Sequence, residues 1–244
     1  MTNQALSGKS AFVTGGAKRI GREIALSLAR AGADVTITYR WSKAEAEKTA
    51  KAIEALGRRV LAVECDVRSE TSVRSATEAS IAFHNRLDVL VNNAALFDSG
   101  KLDEIGLAQW DAVFETNTRG PFLVARTALP HLKAAHGRII NIGSLGGLRA
   151  WSGHAHYCTS KAALHMLTQA MAKAFAPEIT VNCVAPGWIE MEGDKLDVAE
   201  RFAQKTPLRR NGKAAEVAQA VLFFALGPAF VTGQILAVDG GLGL

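Results

Sequence analysis

Tyr157 and Lys161 stand four residues apart in the run Tyr157-Cys158-Thr159-Ser160-Lys161. On a helix that spacing puts both side chains on one face, within reach of each other. A free tyrosine ionises near ~10. A nearby ammonium favours the phenolate and lowers that value. The pair is then able to donate a proton to a reduced carbonyl oxygen and be reprotonated. Ser144 lies upstream, just beyond a strand-like run, and its hydroxyl can hydrogen-bond the same oxygen and stabilise charge developing there. An isolated Tyr/Lys pair is more often a buried tyrosine beside a surface lysine, so the neighbours decide.

The second constellation is Thr14-Gly15-Gly16-Ala17-Lys18-Arg19-Ile20-Gly21, between an apolar run and a helical pattern. Amides at a helix N-terminus bind pyrophosphate, and glycines let the backbone come close. The bland alternative is a tight strand-to-helix turn. About 20 residues beyond such a loop, an acid would hold a ribose 2′-OH and repel a 2′-phosphate. Here Ile37-Thr38-Tyr39 runs into Arg40-Trp41-Ser42, with no acid at that end. Arg19, Arg40 and the Ser42 hydroxyl can instead surround a phosphate, which favours NADP(H) over NAD(H). Which of the three touches the phosphate is left open.

The elements that must hold these residues alternate. Strand-like runs cover 11–14, 35–39, 60–63, 89–91, 139–142, 180–184 and 235–238, with helical patterns between them. Ser42 with Glu45 forms a capping box for a helix closed by Gly57. A helical region spans 107–135, kinked or split at Pro121, and another spans 154–176. Residues 194–212 read as polar and irregular. The expectation is one α/β domain over 1–244, a doubly wound Rossmann fold with a seven-stranded parallel sheet flanked by helices.

Composition narrows the class. The net charge of +5 is mild and spread out, unlike a nucleic-acid-binding arm. Cys65, Cys158 and Cys183 are scattered, unlike a disulfide framework or a metal site. No apolar window reaches the length of a membrane span, and Met1 to Ser10 lacks a signal-type apolar core. A cytoplasmic protein without metal, nucleic-acid or membrane partners is expected.

The order of motifs resembles the short-chain dehydrogenase/reductase family over nearly the whole chain. The loop resembles the family's TGxxxGxG, with Arg19 replacing the middle glycine as in its pteridine reductase branch. Cys65-Asp66-Val67 resembles the segment whose aspartate takes the adenine amino group. Asn92-Asn93-Ala94-Ala95 resembles the NNAG element, with Ala95 for glycine. Asn117, Ser144, Tyr157 and Lys161 match the family's catalytic positions, and Pro186-Gly187, Val231-Thr232-Gly233-Gln234 and Val238-Asp239-Gly240-Gly241 match its C-terminal elements.

The resemblance implies an NADPH-dependent oxidoreductase with Tyr157 as acid/base, Lys161 on the nicotinamide ribose and Asn117 holding a water that links Lys161 to solvent. Gly15, Lys18, Arg19, Ile20, Gly21, Arg40, Trp41, Ser42, Asp66, Val67, Asn93, Ala94 and Ala95 would bind the cofactor. Tyr157, Lys161, Pro186, Gly187 and Ile189 would complete that set. The segment Pro186 to Glu192 lacks the family's threonine, so the backbone of Ile189 would anchor the carboxamide. A homotetramer is implied, built through 107–135, 154–176 and the C-terminal segment.

Ser144 suits a carbonyl substrate such as a ketone or 3-oxoacyl thioester, and a pterin is the second candidate. The substrate loop falls at about 187–212. Phe97, Trp151 and Trp188 fit pocket walls or core equally. His154, His156, Asp98, Asp103 and Arg149 carry no assigned chemistry.

Overall fold

The computed structural model describes residues 4–191, 193 and 196–244. Seven strands form one parallel sheet: β1 (Ser10–Val13), β2 (Asp34–Tyr39), β3 (Val60–Glu64), β4 (Val89–Asn92), β5 (Arg138–Ile142), β6 (Thr180–Pro186) and β7 (Ile235–Val238). Their order is β3-β2-β1-β4-β5-β6-β7. Short apolar runs without alternation suit strands covered on both faces. In β1, Ala11 and Val13 join one apolar cluster while Phe12 joins the other.

Helices α1 (Arg19–Arg30), α2 (Lys43–Glu54) and α8 (Ala214–Leu226) supply Ile24, Ile53 and Val221 to the first cluster. Helices α3 (Glu70–His84), α5 (Gly120–Ala134) and α6 (Ala155–Ala174) supply Val73, Val124 and Met171 to the second. The strand order reverses on either side of β1, which pairs with both β2 and β4. Doubly wound sheets open a ligand crevice at the strand carboxyl ends at such a point.

Three local expectations change. The helical region 107–135 divides into α4 (Leu107–Phe114), a wide π turn (Glu115–Arg119) and α5. The break therefore precedes Pro121, whose ring gives no N–H to the helix that continues through the π turn into α5. Ser42 stands at the N-cap of α2 but makes no side-chain cap bond, so the capping box does not form. Within 194–212, residues Leu196–Lys205 form helix α7. It buries Ala199 and half-buries Val198, Phe202 and Ala203 on the same face. Glu192 and Asp194 lie outside the described residues.

Candidate active site and cofactor cleft

Ser144 follows β5 and opens a short 3-10 turn (Leu145–Gly147); its hydroxyl accepts the Gly146 amide at 3.1 Å. Tyr157 and Lys161 lie one turn apart on α6, both buried. Lys161 Nζ donates to the Ile142 carbonyl at 2.8 Å and lies 5.9 Å from the Tyr157 ring centre. Ser144, Tyr157 and Lys161 thus meet at the end of β5.

Burial sets the electrostatics. It raises the Tyr157 phenol above its ordinary value, opposed by the Ser144 hydroxyl. The expected lowering by Lys161 does not accompany it: burial pulls the ammonium itself down to about 8, and its hydrogen bond goes to a carbonyl. Phe97 meets Tyr157 edge-on at 4.8 Å and stacks on His154 at 4.8 Å. Trp151 stacks over Tyr157 at 6.1 Å. Phe97 and Trp151 are therefore walls around the phenol, while Trp188 stacks on Phe202 of α7 at 4.1 Å.

Asn117 sits in the π turn, fully buried. Its Nδ2 donates to the Leu96 carbonyl at 2.9 Å and to Ser160 Oγ at 3.0 Å, and its Oδ1 accepts the Leu96 amide at 2.8 Å. Both amide hydrogens are committed to joining the segment after β4 to α6.

A cleft of about 530 Å³ opens at the β1 end. Gly15, Lys18, Arg19, Ile20 and Gly21 line one wall. Arg40, Trp41, Ser42, Asp66 and Val67 line the next, and Asn93, Ala94 and Ala95 the third. Added carbons would not fit the loop: a Cβ on Gly21 would lie 2.2 Å from the Gly15 carbonyl oxygen. Asn93 Nδ2 donates to the Thr14 and Gly15 carbonyls at 3.0 Å each, tying β4 to the loop. Arg19 holds the left-handed conformation, φ 54°, where a glycine would be unstrained.

The cleft wall also includes Arg68, Thr38, Leu96, Phe97, Thr116 and Met191, which the sequence reading did not assign to the cofactor. Arg68, two residues after Asp66, is the one a charge argument could have found. It grips the Asp66 carboxylate through Nε at 3.0 Å and Nη2 at 2.7 Å, which with Arg40 holds Asp66 below the usual carboxylate range. Tyr157, Lys161, Pro186, Gly187 and Ile189 do not line this cleft. Gly187 donates its amide to Val238 at 3.0 Å, joining the strand ends. Ile189 forms an isolated bridge with Gly212, carried by the Trp188 carbonyl and the Glu190 amide. Among the described residues no cluster of three or more His, Cys, Asp or Glu could hold a metal, and no helix is long and apolar enough to cross a membrane.

Parallel topology, a glycine loop at the switch point and a Ser/Tyr/Lys cluster define a doubly wound dinucleotide-binding oxidoreductase. The family described as Enoyl-(Acyl carrier protein) reductase matches residues 15–243. The chain belongs to the short-chain dehydrogenase/reductase family. It is 37% identical to the 3-oxoacyl-[acyl-carrier-protein] reductase of Synechocystis sp. over 98% of each chain. A short-chain dehydrogenase/reductase from Serratia marcescens superposes with TM-score 0.94 at 37% identity, covering 98% of this chain and 100% of that one. A blue fluorescent protein from a metagenomic library, solved in complex with NADPH, superposes with TM-score 0.92 at 38% identity over 98% and 100% of the two chains.

Proposed function

We propose that this protein is an NADPH-dependent carbonyl reductase, of the kind that acts on a 3-oxoacyl thioester or a ketone. The observation that carries the reading is the meeting of Ser144, Tyr157 and Lys161 at the end of β5, beside a cleft built for a dinucleotide. NADP(H) fits that cleft. The loop leaves no room for a Cβ at Gly21, Arg19 and Arg40 line the wall, and no acid follows β2. The NADPH complex of the metagenomic relative supports the same choice.

Bound NADPH would supply the hydride. Arg19, Arg40 and Ser42 hold the 2′-phosphate side, and the amides opening α1 hold the pyrophosphate. Asp66 takes the adenine amino group, and Asn93 keeps the loop in register with β4. Pro186, Gly187 and the Ile189 backbone face the carboxamide end.

Ser144 donates a hydrogen bond to the substrate oxygen and Tyr157 gives that oxygen its proton. Burial keeps the phenol protonated, as an acid must be. Lys161 carries the positive charge that favours the phenolate once the proton has left, and it reaches the ribose. Asn117 has its amide hydrogens committed, so its part in the proton path is to fix Leu96 and Ser160 in place, with any water held by its oxygen or main chain.

Assembly follows the family. Phe114, Phe122 and Leu167 border a hollow of about 590 Å³ on the α4–α5 face, and Met166 is exposed nearby. Leu236 on β7 is exposed as well. We assign these two faces to a homotetramer, which sedimentation would show.

The deciding assay measures NADPH and NADH oxidation against a 3-oxoacyl thioester, ketones, a quinone and dihydrobiopterin. Thioester or ketone turnover that Tyr157→Phe abolishes while NADPH still binds supports the reading. Turnover confined to the pterin replaces it with pteridine reduction. NADPH binding without any turnover replaces it with a sensor.

A further inference from the structure

His165 follows Lys161 by one turn of α6 and sets its imidazole beneath the turn that carries Ser144. The Ser144 backbone N–H donates to His165 Nε2 at 3.4 Å, at the long end of the range. Two glycines make room for the ring. A Cβ on Gly143 would lie 2.3 Å from Nε2, and one on Gly147 would lie 2.6 Å from Cε1. Neither glycine has a positive φ, so space rather than backbone conformation calls for them. Gly143 and Gly147 bracket Ser144, and the imidazole fills the arch between them.

The ring stays neutral there. Burial and the Lys161 ammonium push its pKa down to about 4. A neutral imidazole has one nitrogen with a free lone pair, which is what an amide donor needs; a charged ring has none. Cys183 of β6 closes the other side of Gly143 and is a neutral thiol, with burial pushing it up to about 12. Lys161 on its own helix and Cys183 on β6 are thus the titratable groups around His165. A leucine would pack the arch equally well but would leave the Ser144 amide without a partner.

We propose that His165 is a positioning residue, holding the Ser144 turn by its backbone amide so that the Ser144 hydroxyl addresses the reacting oxygen. The catalytic part of this rests on the carbonyl-reducing reading; the structural part does not. The test compares His165→Leu, which removes the acceptor, with His165→Gln, whose side-chain oxygen reaches the same place. Each is made alone and with Ser144→Ala. His165→Leu lowers kcat about tenfold and leaves the NADPH Kd unchanged, while His165→Gln restores most of the rate. With Ser144→Ala already present, His165→Leu costs less than about twofold more, because the two residues act as a unit.

Amide hydrogen exchange of the peptide covering 143–149 speeds up in His165→Leu and returns to normal in His165→Gln, with no substrate needed. An unchanged exchange rate in His165→Leu, or the same tenfold loss with and without Ser144, overturns the proposal. Should His165→Leu not fold, His165→Asn stands in for it, its oxygen being one carbon too short; parity with His165→Gln then counts against the proposal. If exchange responds while no carbonyl is turned over by the unmodified protein, it is the carbonyl reading that has failed, and the structural role of His165 stands.

Discussion

Arg40 Nε lies 3.1 Å from Asp66 Oδ2, so the guanidinium at the end of β2 is anchored to the carboxylate after β3. The anchor is half-exposed, and such a pair is worth little in stability. Its consequence is geometric: it fixes a guanidinium on the cleft wall, and in the proposed NADPH complex that group meets the 2′-phosphate. Replacing Arg40 by alanine therefore weakens NADPH binding about ten- to a hundredfold, the range of a charge-assisted hydrogen bond, and leaves NADH binding nearly unchanged. Fluorescence titration with both cofactors reads this directly, and equal losses for the two would remove Arg40 from the phosphate site.

Ser144→Ala lowers kcat about a hundred- to a thousandfold if the hydroxyl acts on the reacting oxygen. KM for the carbonyl moves less, since the bond strengthens as charge develops. Steady-state kinetics on a 3-oxoacyl thioester separates the two parameters. A loss confined to KM would reduce Ser144 to substrate binding.

Arg19 at φ 54° sits where a glycine is unstrained. Arg19→Gly relieves that strain by about 1 kcal/mol and raises Tm by about 2–4 °C. It should also weaken NADPH binding. Calorimetry and titration of one variant would show stability and affinity moving in opposite directions. A fall in Tm would mean that the side chain contributes more to the fold than its backbone costs.

His165 makes stability depend on pH in a defined window. Its pKa is 6.5 in the ordinary state and about 4 when folded. Between those values the unfolded chain binds more protons, so stability rises with pH across the window and is lost as pH falls towards about 4. The difference amounts to about 3 kcal/mol. Urea titrations at pH values across the window should show a shallower slope for His165→Gln than for the parent protein, and parallel slopes would contradict the buried neutral imidazole.

Lys161 in the cofactor-free protein has its pKa drawn down to about 8 by burial. An anionic dinucleotide beside it favours the ammonium, so binding NADPH above that pH takes up protons. Calorimetric titrations in buffers of different ionisation enthalpy measure the uptake. Its absence would place the cofactor's charge too far from Lys161 to be felt.

The seven strands were legible in the sequence because a parallel sheet buried on both faces demands short apolar runs, and those runs are local. The Tyr157–Lys161 spacing and the Gly15–Gly21 loop were legible for the same reason, since each lies within one turn or one loop. The helix Leu196–Lys205 was missed although Val198, Ala199, Phe202 and Ala203 repeat at helical spacing, because the charged residues between them and the polar run that follows masked that face. Only the tertiary structure decided what crosses between distant segments. It turned Asn117 into a clamp on Leu96 and Ser160, joined Arg40 after β2 to the carboxylate of Asp66 after β3, and placed His165 under Ser144. A local pattern reports which face of an element is buried; the partner of a polar group depends on which strand or helix packs beside it, and that is set by the whole sheet.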